Sequence, residues 1–229
     1  MASTDLSRLG AVFDLDGVLI DSHDQHRDSW FLLAEEIGRP ISPEQFKESF
    51  GMRNESVIPH VFRWAEEGDK VRIQELGDRK ESLYRQLLRS EGLDPLPGVV
   101  KFLTLLRDAG IPCVVGSSTV RKNIEVCLTM TGLEAFFGEH YAGAEDVSRG
   151  KPAPDVFLEA ARRIHRGPEV SFVVEDAHVG IQAGRSAGMR TIAVTTTHSA
   201  ETFVGDAEPD LIVDSLEVLS LDSLRPWFE

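Results

Sequence analysis

Short, almost continuous apolar runs recur along the chain at Ala11–Phe13, Pro112–Val115, Ser171–Val174, Thr191–Val194 and Leu211–Val213. An alternating pattern would mark strands with one wet face. Continuous runs instead predict strands covered on both faces. Between them lie stretches of helical periodicity. Val99, Phe102, Leu103 and Leu106 share a face that Gly110 brings to a stop, and Phe157, Leu158, Ala161 and Ile164 follow Pro152-Ala-Pro-Asp155. Strands alternating with helices predict an α/β fold built on a parallel, doubly wound, Rossmann-like sheet. Ligands of such sheets gather at the carboxyl ends of the strands.

The stretch from Ser22 to Leu93 breaks this rhythm with helical segments and no convincing strand. Trp30, Leu33, Ala34 and Ile37 make one apolar face, and Ile73, Leu76, Leu83 and Leu87 another. The pattern predicts a small helical domain, residues 22–93, inserted into a core of residues 1–21 and 94–229. The insertion ends near Asp94-Pro-Leu-Pro97-Gly98. No repeat, low-complexity tract or long linker interrupts the chain.

With 41% hydrophobic and 27% charged residues, the 229-residue chain has the make-up of an ordinary globular protein. No apolar run approaches the roughly 20 residues that span a bilayer. The opening MASTDLSRLG lacks both a signal core and an Arg-rich amphipathic pattern, so a cytoplasmic enzyme with no membrane partner is expected. The net charge of −14 argues against a nucleic-acid partner. It also means that an anionic substrate would need a local cation to draw it in. Cys113 and Cys127 both fall in apolar patterns and read as small buried hydrophobes. Without a Cys-x-x-Cys there is no thiolate metal site. No long apolar stripe is left over for a second copy, so a monomer is expected.

Four segments carry chemistry, each at a predicted strand end or in the loop after it. In Ala11-Val-Phe-Asp14-Leu-Asp16-Gly17-Val, two carboxylates two residues apart can project to one side where a strand ends. Gly17 permits a tight turn and close approach of a ligand, and a hard cation would offset the like charges. Val114-Val-Gly116-Ser117-Ser118-Thr119 offers hydroxyls and backbone N–H groups suited to an oxyanion. Gly150-Lys151-Pro-Ala-Pro-Asp155 places a point charge beside prolines ahead of a helix. Phe172-Val-Val-Glu175-Asp176 ends a strand in two acids that could complete an oxygen shell. Each has a plainer alternative: an Asp-rich turn, a helix N-cap, a solvated loop lysine. Together they supply the carboxylates, hydroxyls, lysine and metal ligands of phosphoryl transfer through an aspartyl-phosphate.

Asp14-x-Asp16-Gly-Val, Ser117, Lys151-Pro and Glu175-Asp176 resemble the four signature motifs of the haloacid dehalogenase superfamily. The likeness covers nearly the whole chain, and within the superfamily it points to the helical-cap group of β-phosphoglucomutases and small-molecule phosphatases. The resemblance implies that Asp14 attacks phosphorus and that Asp16 protonates the leaving oxygen, then acts as a base. Ser117 and Lys151, with Gly17 and Ser118 alongside, would hold the phosphoryl group. Mg²⁺ would be bound by Asp14, the Asp16 carbonyl and Asp176, with Glu175 assisting. Dehalogenases and phosphonatases of the superfamily lack the second Asp, so Asp16 disfavours both chemistries.

In the helical insertion, His26 interrupts one apolar stripe and Lys80 the other. A satisfied core histidine and a lysine reaching past the stripe to water are the structural alternatives. Both positions are similar to substrate-facing cap residues of the β-phosphoglucomutase-like group. Mutases of that group carry Gly-Val-x-Arg in the cap, where the Arg grips a second phosphate. Aligned on Gly51, this chain has Asn54 there and Arg53 one residue earlier. Neighbouring helical residues point about 100° apart, so Arg53 does not simply substitute. An amide lacks the bidentate charge pairing of a guanidinium. The expectation is therefore an Mg²⁺-dependent phosphatase of a small organic or sugar phosphate. A β-phosphoglucomutase is the alternative, and a non-catalytic binding module the more distant one.

Overall fold

Gly10–Phe13 form strand β1, and all four residues are buried. The computed structural model describes residues 6–49 and 51–228. Five further strands follow: β2 (Cys113–Gly116), β3 (Tyr141–Ala142), β4 (Ser171–Glu175), β5 (Arg190–Val194) and β6 (Leu211–Val213). They make one six-stranded sheet in the order β3-β2-β1-β4-β5-β6, with every neighbouring pair parallel. The central strands β1, β2 and β4 are buried throughout, which is why their sequences run apolar without alternation.

The pattern-based strands match the observed ones to within a residue at either end, and the shift at β2 has a simple cause. Pro112 has no N–H to give to the ladder, but its carbonyl accepts from Ala11 N at 3.0 Å. The short edge strand β3 has only two residues, one of them a half-buried Tyr, and shows no apolar run in the sequence.

Helices cover both faces of the sheet. Val99–Asp108 buries Val99, Phe102, Leu103 and Leu106. It ends in a Schellman turn, with Gly110 N bonded to Arg107 O at 3.0 Å and Ile111 N to Leu106 O at 2.9 Å. Gly110 sits at φ 72°, and Leu106 and Ile111 are both buried beside the turn that delivers the chain to β2. Phe13 of β1 meets the rings of Phe102 and Phe137 edge-on, at centroid distances of 6.2 and 5.9 Å. On the sheet's other flank, Val156, Phe157 and Ala160 of the helix Asp155–Arg163 pack with Val12, Val114 and Val173. Cys113 and Cys127 are buried free thiols, and burial pushes the Cys113 thiol up to about 12.

Residues Ser22–Leu93 form a compact unit of their own, and the rest of the described chain forms the other. The inserted unit is built on two long helices, His23–Glu36 and Lys70–Glu91. Asp69 caps the second helix by accepting from Arg72 N at 3.0 Å. Trp30, Leu33, Phe62, Trp64, Leu76 and Leu83 belong to one buried cluster. Within it, Trp30, Phe62 and Trp64 form an aromatic trio with centroids 4.8 to 5.8 Å apart. Among the described residues no helix is long and apolar enough to cross a membrane.

Candidate active site

The central strands of the sheet end together. Phe13 is level with Val174 of β4 and with Val115 of β2. The next residues out, Asp14 and Glu175, therefore stand side by side, with Asp176 and Ser117 one step further. Backbone bonds fix the ends: Asp14 N donates to Val174 O and Ser117 N to Ala142 O, each at 3.0 Å. Asp14, Ser117, Glu175 and Asp176 are all buried. The residues picked from four separate segments of sequence thus share one end of the sheet.

Lys151 reaches this cluster from the loop ahead of the helix Asp155–Arg163. Its Nζ lies 2.8 Å from Asp14 Oδ1 and 2.7 Å from Glu175 Oε1, with the side chain 2% exposed. The ammonium also stands 4.7 Å above the Phe157 ring. The other Glu175 oxygen accepts from the N–H groups of Asp176 and Ala177 at 2.7 and 2.6 Å. Both oxygens of Glu175 are thus engaged, and they hold Lys151 and the start of the next loop in place. This packing needs Gly180, because a Cβ there would fall 1.7 Å from Glu175 Oε1.

Electrostatics follow from the burial. Desolvation pushes the Asp14 carboxyl up from 3.8 to about 7; Lys151 opposes that rise, while Glu175 and Asp16 add to it. Asp176 is also raised well above the ordinary carboxylate value, by burial first and then by Glu175 and Asp14. Burial alone would lower the pKa of Lys151, but Asp14 and Glu175 outweigh it and hold the ammonium charged. Three acids therefore surround one base in a buried place, a combination short of positive charge.

Asp14, Glu175 and Asp176 each place a carboxylate oxygen within 4.8 Å of the others. An all-oxygen donor set suits a hard divalent cation such as Mg²⁺, and the charge deficit fits one as well. Glu175 has both oxygens committed, so Asp14 and Asp176 are the better-placed donors.

The remaining candidates are placed as follows. Asp16 is half-buried, in a tight turn closed by Gly17 N to Ile20 O at 2.8 Å. Gly17 takes φ 79°, a conformation that L side chains rarely adopt. Ser117 Oγ accepts from Thr119 N at 3.1 Å. The following helix, Arg121–Thr131, has Val120 at its N-cap, so Ser117 is not serving as the cap. Ser118 Oγ is buried without a hydrogen-bond partner.

In the inserted unit, Lys80 is 2% exposed, which rules out the reading of a side chain reaching water. Its Nζ lies 2.8 Å from His26 Nδ1 and 3.0 Å from Glu81 Oε1. His26 stacks on Tyr84 at 4.0 Å. The same Glu81 oxygen accepts from Asn54 Nδ2 at 2.7 Å. His26, Asn54 and Lys80 are thus joined in one polar network, and Arg53 precedes the short helical turn Asn54–Ser56. Glu81, the hub of this network, escaped the sequence reading because a lone acid on a helix has no distinguishing pattern. Thr196 and Thr197 escaped it too, although they follow the apolar run of β5 and the same strand-end logic applies to them.

The family model of the haloacid dehalogenase-like hydrolases matches residues 10–188, which include β1, the inserted unit and β4. The chain belongs to the haloacid dehalogenase-like hydrolases. It is 33% identical over 220 residues to the chloroplastic 5-amino-6-(5-phospho-D-ribitylamino)uracil phosphatase of Arabidopsis thaliana, covering 95% of this chain and 57% of that protein. It is 32% identical over 213 residues to hexitol phosphatase A of Escherichia coli strain K12, covering 93% of each. It is 28% identical over 226 residues to the β-phosphoglucomutase of Bacillus subtilis strain 168, covering 95% of this chain and 94% of that enzyme. Among solved structures, a family IA, variant 3 hydrolase of Entamoeba histolytica HM-1:IMSS matches with a TM-score of 0.86 at 24% identity, covering 96% of this chain and 99% of that one. That likeness bears on the fold.

Proposed function

We propose that this haloacid dehalogenase-like hydrolase is a phosphomonoesterase acting on a small organic phosphate, with a polyol or sugar phosphate as the leading class. The observation that carries this reading is the buried Asp14 at the end of β1, with Lys151 2.8 Å from its carboxylate and Asp176 and Glu175 beside it. A carboxylate so placed is held rigidly, and part of its charge is already offset against that of an approaching anion.

In the first step an Asp14 oxygen attacks phosphorus and the ester P–O bond breaks. The leaving oxygen takes a proton from Asp16. In the second step Asp16 accepts a proton from water as that water attacks phosphorus, and inorganic phosphate leaves with Asp14 restored. Lys151, Ser117, Ser118 and the backbone at Gly17 hold the phosphoryl oxygens throughout. Asp14, the Asp16 carbonyl and Asp176 would hold Mg²⁺, with Glu175 in support through Lys151 and the loop. When bound, the ion supplies positive charge to the phosphoryl oxygens. His26, Arg53, Asn54 and Lys80 are assigned to substrate recognition on the strength of the motif resemblance.

The phosphatase reading is favoured over the mutase one by Asn54, which stands where the mutases carry a phosphate-gripping Arg and whose amide is bonded to Glu81. Relatives of both kinds exist, the phosphatases at the higher identity. The deciding experiment supplies β-glucose 1-phosphate with catalytic glucose 1,6-bisphosphate, alongside a panel of sugar and polyol phosphates with and without Mg²⁺. Mg²⁺-dependent phosphate release from panel members is the expected result. Formation of glucose 6-phosphate without matching inorganic phosphate would establish the mutase instead.

A further inference from the structure

The three residues Thr196-Thr197-His198 lie just beyond β5, the sheet neighbour of β4, and touch two of the site loops at three points. Thr197 donates its hydroxyl proton to Asp176 Oδ2. Thr196 donates to the carbonyl of Gly17, in the turn that carries Asp16. His198 Nδ1 stands 3.2 Å from the carbonyl of Asp176, and its ring packs edge-on against His178 at 4.4 Å. The tripeptide is itself anchored, because Thr195 N donates to Val213 O of β6 at 2.9 Å. There is no slack between the parts: a Cβ on Gly17 would stand 2.0 Å from Asp176 Oδ2 and 3.0 Å from Thr197 Oγ1.

We propose that Thr197, backed by Thr196 and His198, is a positioning residue that fixes the Asp176 carboxylate in the rotamer that serves a divalent cation. A carboxylate is planar, so a hydroxyl that pins Oδ2 also sets the direction of Oδ1. Among the described residues none donates a hydrogen bond to Oδ1, which would be the oxygen left for the ion. Thr196 performs the matching task on the other loop, holding the Gly17 carbonyl and with it the turn next to Asp16. The brace therefore ties together two donors, Asp176 and the Asp16 backbone, that arise from strands far apart in sequence. Hydrogen-bond partners of metal ligands typically account for 10–100-fold in metal affinity. The inference rests on the reading of Asp176 as a metal ligand.

Mg²⁺ binding to the full chain, without substrate, is followed by calorimetric titration and by the rise in melting temperature. The wild-type protein, Thr197→Val and Thr197→Ser are compared. Valine keeps the shape and the β-branch and removes only the hydroxyl, and serine restores it. The expected result is a dissociation constant raised roughly 10–100-fold in T197V and brought back toward wild type in T197S. In turnover assays the Mg²⁺ requirement should rise, with the substrate KM at saturating Mg²⁺ unchanged. A T197V protein that melts lower but binds Mg²⁺ as the wild type does would overturn the positioning role. A wild-type protein with no response to Mg²⁺ would remove Asp176 as a ligand, which is a separate failure. If T197V yields no folded protein, Thr197→Ala carries the same expectation, since it lacks the hydroxyl and leaves space instead of a methyl against the carboxylate.

Discussion

The ammonium of Lys151 lies 2.8 Å from the carboxylate of Asp14, and both side chains are buried. The contact joins the end of the first strand to a loop that follows the third. It partly offsets the burial that favours the neutral acid, and Glu175, sharing the same ammonium, holds the lysine in line. Removing either Asp14 or Glu175 leaves Lys151 one carboxylate partner, whereas removing Lys151 leaves Asp14, Glu175 and Asp176 without the cation beside them.

Asp14→Asn is expected to abolish phosphate release while making the metal-free protein more stable at pH 8. The Asp14 carboxyl is raised from 3.8 to about 7, so its neutral form is the one the fold prefers. Its ionisation is therefore a destabilising load, complete above pH 7 and absent below about 4. Thermal melts in chelator at pH 8 and at pH 4 check this: the variant should melt higher at pH 8, with the gap closing toward pH 4. A lower melting point at pH 8 would contradict the electrostatic account.

Asp16→Asn is expected to lower kcat/KM by about 10²–10⁴-fold on alkyl phosphates. The loss should be markedly smaller on p-nitrophenyl phosphate, whose leaving oxygen needs little protonation. Equal losses on both substrates would refute the assignment of Asp16 as the general acid.

Gly180→Ala is expected to impair the site through Glu175. A Cβ placed 1.7 Å from Oε1 forces that side chain away from Lys151 and from the two N–H groups it accepts. The cost should be about 1–3 kcal/mol, read by urea unfolding, with a parallel fall in turnover. Wild-type stability and activity would show that the backbone at Gly180, in the first turn of the helix His178–Ser186, can relax without disturbing Glu175.

Glu159 offers a test away from the site. Hydrogen bonds from Arg162 and then Arg163 hold its carboxyl down to about 2. A depressed acid stabilises the fold above its unfolded value of 4.5 and loses that contribution as pH falls toward 2. Glu159→Gln should therefore be less stable than wild type at pH 7 and indistinguishable from it near pH 2. Because Arg162 is largely exposed, the difference at pH 7 should be no more than about 1 kcal/mol. A gap that widens on acidification would reverse the sign of the argument.

The parallel sheet was legible in the sequence because strands buried on both faces must be apolar at every position, as Val12, Val114 and Val173 are. β3 was not, because two residues carry no period. Four chemical segments were legible because each combines rare polar groups with a strand end. The structure adds what spacing does not encode. Glu175 has both oxygens engaged, one on Lys151 and one on backbone N–H groups, so its part is to hold other groups. Lys80 is enclosed by His26 and Glu81, where periodicity allowed an exit to solvent. Thr197 resembles any strand-end threonine until its hydroxyl is seen on Asp176.

The strand that comes first in the chain lies inside the sheet, with β2 on one side and β4 on the other. Its second neighbour begins only at Ser171, so one edge of β1 has no strand to pair with until that segment is in place. Closing such long loops is entropically slow. A fragment ending before residue 171 would contain Asp14 and Lys151 yet lack Glu175 to align the lysine. On the proposed mechanism such a fragment is expected to release no phosphate, because the lysine that faces Asp14 lacks the acid that aligns it.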